Sequence, residues 1–368
     1  MIFYVAAIKI FYLRYPKNYN LFITSMKKII TLFAVLALCT ACSKDENSEP
    51  ENPNNNTTEN PQEIDDTPTA KSSDDYRGLM RDFVTAISKK GKSTKPGFVV
   101  IPQNGIQLVT TGDESDSPLA EQYLAAIDGH GQEDIFYGNP DDNVASSKDD
   151  IEWLRGYLDR SKAAGNVILC TDYCSSESKM KDSREKNAAA GYLAYQAIER
   201  NLNVIPSYTP YNENNKEIKS LKDAKNFLYI LQLSGFKSKD DFINKVCATN
   251  FDVIITDLFF YDDLAFTADD VNRLRQKKNG GKRMVVCYMS IGEAEDYRFY
   301  WQSGWKKGSP EFLDKENPDW AGNFKVKYWI PSWQDIILNQ YLPKILDAGF
   351  DGVYLDIIDA FEYYEDRD

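Results

Sequence analysis

Short apolar runs, each bounded by turn residues, recur along the chain from residue 74 onward. Each run is continuously apolar rather than alternating, which is typical of strands covered on both faces of a parallel sheet. The runs predict eight strands, at residues 97–103, 123–129, 166–173, 203–209, 227–233, 251–258, 283–292 and 350–358.

Helical patterns lie between most of these strands. Over residues 75–90, apolar residues from Tyr76 to Ile87 recur every three or four positions and form one face of a helix. Similar patterns predict helices over residues 148–164, 184–200, 239–248, 267–278 and 332–349. Strands that alternate with helices favour a (β/α)8 barrel of the TIM type, with an open doubly wound sheet as the alternative. No glycine-rich turn follows the first strand, which counts against a dinucleotide-binding fold.

The order of the predicted elements differs from the usual barrel. The first is the helix at 75–90 and the last is the strand at 350–358, whereas such barrels ordinarily begin with a strand and end with a helix. The first and last units of a closed barrel are neighbours. We therefore expect helix 75–90 to pack beside strand 350–358, and that strand to pair with strand 97–103.

The first 42 residues have the pattern of a targeting sequence. The stretch MKKIITLFAVLALCTAC, residues 26–42, has a basic start, an apolar segment too short to span a bilayer, and small residues before a cysteine. This stretch resembles a bacterial lipoprotein signal, in which Cys42 carries the lipid and Met26 is the true start. An ordinary secretory signal is the alternative.

Residues 43–73 are rich in Asn, Glu, Pro and Thr and lack apolar periodicity, which predicts a disordered tether. Residues 74–368 are then expected to form the barrel. Together these features predict an outer-membrane lipoprotein of the cell envelope, facing the cell surface or the periplasm. We expect it to contact the membrane only through its N-terminal lipid anchor.

The chain has 368 residues and a formal net charge of −13, and its first 42 residues contain no acid. Such an acidic body repels phosphate backbones, which argues against a nucleic-acid partner. The chain has one histidine, His130, and neither its cysteines nor its acids have the spacing of a zinc or EF-hand calcium site. The sequence therefore predicts no metal and no cofactor, and we expect a monomer.

Chemistry in such barrels lies where strands end. Acids follow five of the eight predicted strands: Asp128, Glu133 and Asp134; Asp172; Asp257; Glu293, Glu295 and Asp296; and Asp356 and Asp359. Paired carboxyl groups are what glycoside hydrolases use, one as acid and the other as nucleophile or base. The isolated His130 makes a nucleophilic triad a weak alternative. Any single acid has the further alternative of capping a helix or binding loop backbone.

The segment between the last two predicted strands is aromatic. Residues 293–335 contain five of the six tryptophans, at positions 301, 305, 320, 329 and 333. Aromatic faces stack on sugar rings, so an acidic and aromatic cleft predicts a polysaccharide or oligosaccharide as partner, with Trp301 and Trp329 as candidate contacts. The alternative is that these aromatics pack only on one another, which we expect of about half of them.

Three segments carry a family resemblance. CYMSIGEAEDYRFYW (287–301), NPDWAGNFKVKYW (317–329) and GFDGVYLDIIDAFEYYE (349–365) resemble signature segments of the glycoside hydrolase family 114 superfamily. Characterised members of that superfamily are endo-α-1,4-polygalactosaminidases with a (β/α)8 barrel. Residues 96–105 and 127–138 resemble two further segments of a branch of extracellular glycosidase-like proteins known from Thermotoga and methanogens.

In that branch, the segments that correspond to residues 96–105 and 127–138 follow the GVYLDIIDA segment, whereas here they precede it. The chain thus resembles a circular permutant of the family barrel, one that begins on a helix and ends on a strand.

Carried over position by position, the resemblance implies Asp356 and Glu133 as the catalytic pair. It implies Asp356 as nucleophile or stabilising carboxylate and Glu133 as general acid/base. Neighbours implied to bind sugar or tune pKa values are Asp257, Glu293, Asp359, Arg298, Tyr288 and Asn104.

The function that these features predict is a surface-anchored glycoside hydrolase. We expect it to be endo-acting on an α-linked, galactosamine-type polysaccharide by a two-carboxylate mechanism. The alternative is a non-catalytic glycan-binding lipoprotein on the same barrel. An aminoacyl-tRNA synthetase is disfavoured because the chain is acidic and lacks a nucleotide-binding motif.

Overall fold

Parallel strands alternate with helices through residues 75–261 and 264–367, which the computed structural model describes. The predicted targeting segment with Cys42, and the predicted tether at 43–73, lie outside these residues. Within them, no helix combines the length and the apolar character needed to cross a bilayer.

The strands are β1 (Val99–Pro102), β2 (Gly129–Glu133), β3 (Val167–Tyr173), β4 (Leu193–Ala197), β5 (Phe227–Tyr229), β6 (Val253–Thr256), β7 (Met284–Ser290), β8 (Glu293–Glu295), β9 (Leu313–Glu316), β10 (Asn323–Val326) and β11 (Gly352–Asp356). The α-helices are α1 (Tyr76–Thr94), α2 (Glu121–Ala126), α3 (Lys148–Ala163), α4 (Glu177–Ala190), α5 (Lys239–Cys247), α6 (Ala268–Leu274), α7 (Pro331–Asp335), α8 (Leu342–Asp347) and α9 (Ala360–Glu365). A π-helical segment, Ile336–Tyr341, joins α7 to α8.

Two parallel sheets contain eight of the strands, in the orders β1-β11-β7-β6-β5 and β2-β3-β4. The sheets adjoin where Gln103, just after β1, bridges Gly131 of β2, and β4 lies beside β5. A third, antiparallel sheet has the order β8-β10-β9. The carboxyl ends of the eight parallel strands therefore lie on one side of the molecule.

The predicted pairing of the first and last strands is confirmed. β11 lies between β1 and β7, with Gly352 opposite Val99. A Cβ at Gly352 would lie 2.3 Å from the carbonyl oxygen of Val99, so a larger residue would separate the two strands. Helix α1, which Asp75 caps by accepting a 2.8 Å bond from the Gly78 N–H, packs on β1, α8 and α9.

The expectation that the chain ends on a strand is corrected by α9. This helix follows β11 after a turn in which Ile357 has the left-handed φ of 57°. It buries Ala360, Phe361 and Tyr364 on one face. The sequence between the turn and Arg367 is too short for its helical period to stand out.

The predicted strand at 123–129 is wrong. Tyr123, Leu124 and Ile127 are buried at i, i+1 and i+4, which is one face of a helix, and residues 121–126 form α2. The strand is β2, whose sequence GHGQE contains no apolar side chain larger than glycine. Hydrophobic periodicity could not predict β2 because its side chains form a polar interior.

The predicted helix at 184–200 is correct only as far as Ala190, and the predicted strand at 203–209 is wrong. Helix α4 ends at Ala190 because Gly191 adopts a left-handed φ of 73° and caps it. The strand follows at once as β4, inside the range predicted as helix, and residues 203–209 form no strand. Gly191 thus ends the helix, although the helical pattern of the sequence continues beyond it.

Residues 293–335 contain the small antiparallel sheet rather than a plain loop. Trp333 is fully buried, and its indole N–H donates to the Ile291 carbonyl at 2.8 Å. Trp301 packs between Trp305 and Phe324, with ring centroids 5.1 and 4.9 Å apart. Trp329, the other candidate sugar contact, packs 4.7 Å from the Tyr364 ring and 5.1 Å from the Tyr76 ring. Protein rings therefore occupy much of the surface of both candidate tryptophans.

Candidate active site

Two carboxyl groups lie at the carboxyl ends of two strands that are separated by one other strand. Glu133 is the last residue of β2 and Asp356 the last of β11, with β1 between them. Two strand spacings place their backbones roughly 10 Å apart, so side chains from the two ends can converge. Burial, and then the charge of Glu133, raise the pKa of Asp356 to about 8. At neutral pH, Asp356 therefore holds its proton beside Glu133.

Hydrogen bonds fix Asp356 but do not reverse this shift. The Tyr288 hydroxyl donates to Asp356 Oδ2 at 2.7 Å, and the Ile357 N–H donates to Oδ1 at 2.9 Å. Both bonds favour the ionised form, and nearby Asp359 disfavours it. The pKa of Asp356 is raised because burial and the neighbouring negative charges have a larger effect than the two hydrogen-bond donors. Tyr288 thus orients Asp356, which agrees with its predicted place beside the pair.

Glu133 is surrounded by donors. The Tyr173 hydroxyl donates to its Oε1, and Asn104 Nδ2 donates to its Oε2 at 3.5 Å. Asn104 Oδ1 also accepts from the Glu133 N–H at 3.2 Å and from Gln132 Nε2 at 3.1 Å. Asn104 therefore holds both the backbone and the side chain of Glu133, and these donors favour an anionic carboxylate.

Asn104 itself is held in an uncommon conformation. Its φ is 59°, in the left-handed region, and its N–H donates to the Gly131 carbonyl at 2.9 Å. His130 Nε2 lies 2.9 Å from the Asn104 carbonyl, and because a carbonyl only accepts, Nε2 carries the proton. Burial lowers the pKa of His130 to about 4, so the ring is neutral at pH 7. His130 is thus a positioning residue, a role that its spacing in the sequence did not indicate.

Replacement of Asn104 tests this conformation. Asn104→Ala and Asn104→Gly remove the same side-chain bonds, but only alanine is strained at positive φ. We expect the alanine variant to be less stable by about 0.5–1 kcal/mol, since left-handed strain exceeds the entropy cost of glycine. Urea unfolding of the two variants measures the difference. Equal stability would show that the left-handed turn is not retained.

A second support reaches Glu133 through Tyr173. The Arg200 guanidinium lies 3.9 Å from the centre of the Tyr173 ring and is held by Asp142 at 2.6 Å and Asp134 at 3.2 Å. A cation over the ring polarises the phenol and strengthens its hydroxyl as a donor to Glu133. Sequence reasoning missed both residues, although Tyr173 directly follows Asp172 at the end of β3.

Not every acid at a strand end belongs to the site. Asp172 is fully buried and accepts from Ser183 Oγ at 2.6 Å, Asn187 Nδ2 at 3.0 Å and the Phe136 N–H at 2.8 Å. Its acceptor positions therefore join helix α4 to the segment after β2. This is the structural alternative that the sequence left open for any single acid.

Further acids lie beside the pair. Burial, with the charges of Glu293 and Glu133, raises the pKa of Asp359 to about 6, although Lys325 opposes the shift. Burial and the charge of Asp359 raise the pKa of Glu362 to about 8, and Gln107 donates to Glu362 at 2.7 Å. Carboxyl groups thus crowd this end of the sheet, and those that stay ionised at neutral pH favour a cationic ligand.

Arg298 and Asp257 are brought together in one network. Arg298 donates two bonds to Asp257, at 2.8 and 2.7 Å, and its Nε donates to Glu295 at 2.6 Å. The bidentate geometry fixes the end of β6 to the segment that follows β8. The charged groups of Arg298 and Asp257 are therefore paired with each other, and the predicted sugar-binding role of the two residues stays a prediction.

Glu293 is similarly engaged. It is almost fully buried and accepts from Asn317 Nδ2 at 2.8 Å and Lys325 Nζ at 3.3 Å. It thereby joins the start of β8 to the turn between β9 and β10. In residues 75–261 and 264–367, no group of three or more His, Cys, Asp or Glu side chains is arranged to hold a metal ion.

Comparison with known proteins finds one family model and three relatives that each match part of the chain. Residues 207–368 match the model of glycoside-hydrolase family GH114. An uncharacterized protein of Deinococcus radiodurans is 42% identical over 137 residues, which is 37% of this chain and 42% of the relative. One of Methanocaldococcus jannaschii is 40% identical over 155 residues, 42% of each chain. One of Thermotoga maritima is 52% identical over 79 residues, 22% of this chain and 24% of the relative. Each alignment spans less than half of the relative's length.

Proposed function

We propose that the chain hydrolyses glycosidic bonds with Asp356 and Glu133 as its catalytic pair. The premise is that it belongs to the glycoside hydrolase family 114 superfamily through residues 207–368. One observation carries this proposal: burial and the charge of Glu133 raise the pKa of Asp356 to about 8. A protonated carboxyl beside an ionised one is the arrangement that such hydrolysis requires.

The same electrostatics favour roles opposite to those that the resemblance implies. Asp356, protonated at neutral pH, would donate its proton to the glycosidic oxygen as the bond to the anomeric carbon breaks. Glu133, held as an anion by Tyr173 and Asn104, would act on the anomeric carbon directly or take a proton from the attacking water. Whether Glu133 attacks the anomeric carbon or activates the water, one water is consumed for each glycosidic bond cleaved.

We also propose that the eight parallel strands close into a circularly permuted (β/α)8 barrel. The pairing of β1 with β11, the bridge from Gln103 to Gly131 and the position of β4 beside β5 support closure. The family match begins at residue 207 and contains Asp356, whereas the segment with Glu133 precedes it, which supports the permuted order. Lipid anchoring at Cys42 is a further proposal, supported by the pattern of residues 26–42.

The proposed substrate is an α-linked, galactosamine-type polysaccharide cleaved within the chain. Asp359, with a pKa of about 6, is mostly ionised at pH 7 beside both Asp356 and Glu133, and Glu293 and Lys325 both act on it. A protonated sugar amine would complement this charge, whereas a uronic acid would be repelled.

Product release from a panel of polymers tests the proposal. The panel contains de-N-acetylated α-1,4-galactosaminan, its N-acetylated form, an α-1,4-glucan and α-1,4-galacturonan, with products followed by reducing ends and by chain length. We expect oligosaccharides from the free-amine polymer and none from galacturonan. Binding of the polymer without cleavage would favour the alternative, a non-catalytic glycan-binding protein.

A further inference from the structure

Trp320 is the most exposed large apolar side chain in the described part of the protein, at 62%. It lies at the turn between β9 and β10, in a segment whose other tryptophans pack against protein rings. Scattered apolar side chains on a surface need no explanation by themselves. Trp320 differs from such scattered side chains because hydrogen bonds fix the turn that carries it.

The turn that carries Trp320 is closed by several hydrogen bonds. The Trp320 N–H donates to the Asn317 carbonyl at 3.3 Å, and the Trp320 carbonyl accepts from the Asn323 N–H at 3.1 Å. The Asn317 N–H donates to the Asn323 carbonyl at 2.7 Å, and the Gly322 N–H donates to Glu316 at 2.9 Å. The indole is therefore exposed on a fixed backbone, so binding a ligand there costs little ordering entropy.

The same turn is bonded to the candidate active site. Asn317 Nδ2 donates to Glu293, and Lys325, on β10, pairs with the same carboxylate. Glu293 in turn raises the pKa of Asp359, which is among the charges that raise the pKa of Asp356. The turn thus lies at the rim of the acidic region and not on a remote face.

A second exposed ring lies at this rim. The Asp296 N–H donates to the Gly322 carbonyl at 2.8 Å and joins the turn to Tyr297, which is 46% exposed. The Tyr297 hydroxyl donates to Glu295 Oε1 at 2.5 Å, and the Arg298 guanidinium lies 5.2 Å from its ring centre. This ring is therefore also held in place while part of it remains open to solvent.

We propose that Trp320 and Tyr297 form a sugar-stacking platform that binds pyranose rings of the polysaccharide outside the cleavage position. The inference rests on the proposed function, because it takes the substrate to be a chain of sugars longer than the catalytic pair can contact. Ring C–H faces would pack on the indole and the phenol, and protonated amines would add cation–π attraction. The tryptophan that matters is then Trp320, rather than Trp301 or Trp329.

Calorimetric binding to galactosamine oligomers of two lengths, a disaccharide and a dodecasaccharide, tests the platform. The full chain carries Glu133→Gln so that the ligand stays intact, with and without Trp320→Ala. We expect Trp320→Ala to weaken binding of the dodecasaccharide by about 2–10-fold and to leave the disaccharide unchanged. Quenching of tryptophan fluorescence by the longer oligomer should also decrease.

Tyr211→Ala is the matched control. Tyr211 is a similarly exposed ring, and its carbonyl accepts from Asn226 just before β5, at the amino ends of the strands. Its replacement should leave the affinity for both oligomers unchanged. Equal affinity of the Trp320→Ala variant for the dodecasaccharide, or an equal loss in Tyr211→Ala, overturns the platform.

The outcomes separate the platform from the proposed function. Length-dependent loss in Trp320→Ala, with no cleavage by the wild type, keeps the platform and overturns hydrolysis. Cleavage by the wild type with no effect of Trp320→Ala keeps hydrolysis and overturns the platform. Failure of the Glu133→Gln chain to bind either oligomer overturns the platform and, if the wild type also releases no product from the polymer, the galactosamine substrate as well.

Discussion

Asp356→Asn should lower kcat on the galactosamine polymer by about 10²–10⁴-fold, the range for loss of a general acid. In the wild type, activity should fall as pH rises through about 8, because deprotonation of Asp356 removes the proton that the leaving oxygen needs. The variant should lose this alkaline limb of the pH–rate profile along with its activity. Glu133→Gln should inactivate the enzyme as well, through loss of the anion.

The same substitution should stabilise the protein. An unfolded aspartate titrates near 4, whereas the folded Asp356 titrates near 8. Between these values the unfolded state releases the proton more readily, so the contribution of Asp356 to stability decreases as pH rises. Asparagine removes this penalty, and we expect about 0.5–2 kcal/mol more stability at pH 7 and no gain at pH 3.

Asp351→Asn is the control for these effects. Asp351 directly precedes β11, at the opposite end from Asp356, and pairs with Lys95 and Arg275. Its replacement should lower stability and leave the alkaline limb in place. A pH–rate profile that does not change in Asp356→Asn, or full activity in that variant, would contradict the assignment of Asp356 as the acid.

The largest expected loss of stability comes from the other end of the strands. The side chains of Lys277 and Asp252 are both 0% exposed, and they pair at 2.9 Å. Lys277 also donates to the Asn214 carbonyl at 2.7 Å. Lys277→Met would leave a buried, unpaired carboxylate, and we expect it to cost about 3–5 kcal/mol. Urea unfolding at pH 7 measures this difference.

Two comparisons isolate the buried charge as the cause. The double variant Lys277→Met with Asp252→Asn should recover much of the loss, because no uncompensated charge remains. Lys148→Met breaks a pair with Glu152 whose side chains are 85% and 65% exposed, so it should change stability by less than about 0.5 kcal/mol. A loss in Lys277→Met no larger than that of Lys148→Met would disprove the argument.

Hydrophobic patterning predicted most of the fold because most parallel strands are covered by apolar neighbours on both faces. It failed at β2, whose residues are polar or small because of contacts with residues that are distant in the sequence. A Cβ on Gly131 would lie 2.1 Å from the Tyr354 hydroxyl of β11, a neighbour 223 positions away. No local pattern contains that constraint.

The sequence likewise predicted part of the candidate site. Reading the ends of strands, together with the family resemblance, identified Glu133 and Asp356 as candidates. It could not identify Arg200 or His130, because Arg200 acts through the Tyr173 ring and His130 through the Asn104 backbone carbonyl, and folding alone brings these groups together. Nor could it show that Arg298 is already paired, since a charged residue has the same appearance in the sequence whether its partner is protein or ligand.

The position of β11 between β1 and β7 has a consequence for how the chain folds. Val99 and Gly352 are paired neighbours separated by almost the whole described sequence, so the entropy of closing that loop must be overcome before they meet. During synthesis, the strand that carries Asp356 emerges after every other strand described. Until then β1 and β7 expose unpaired edges, which are open to wrong pairing. An interior strand of the larger sheet is thus the last to be inserted, and the carboxyl pair is assembled in that final step.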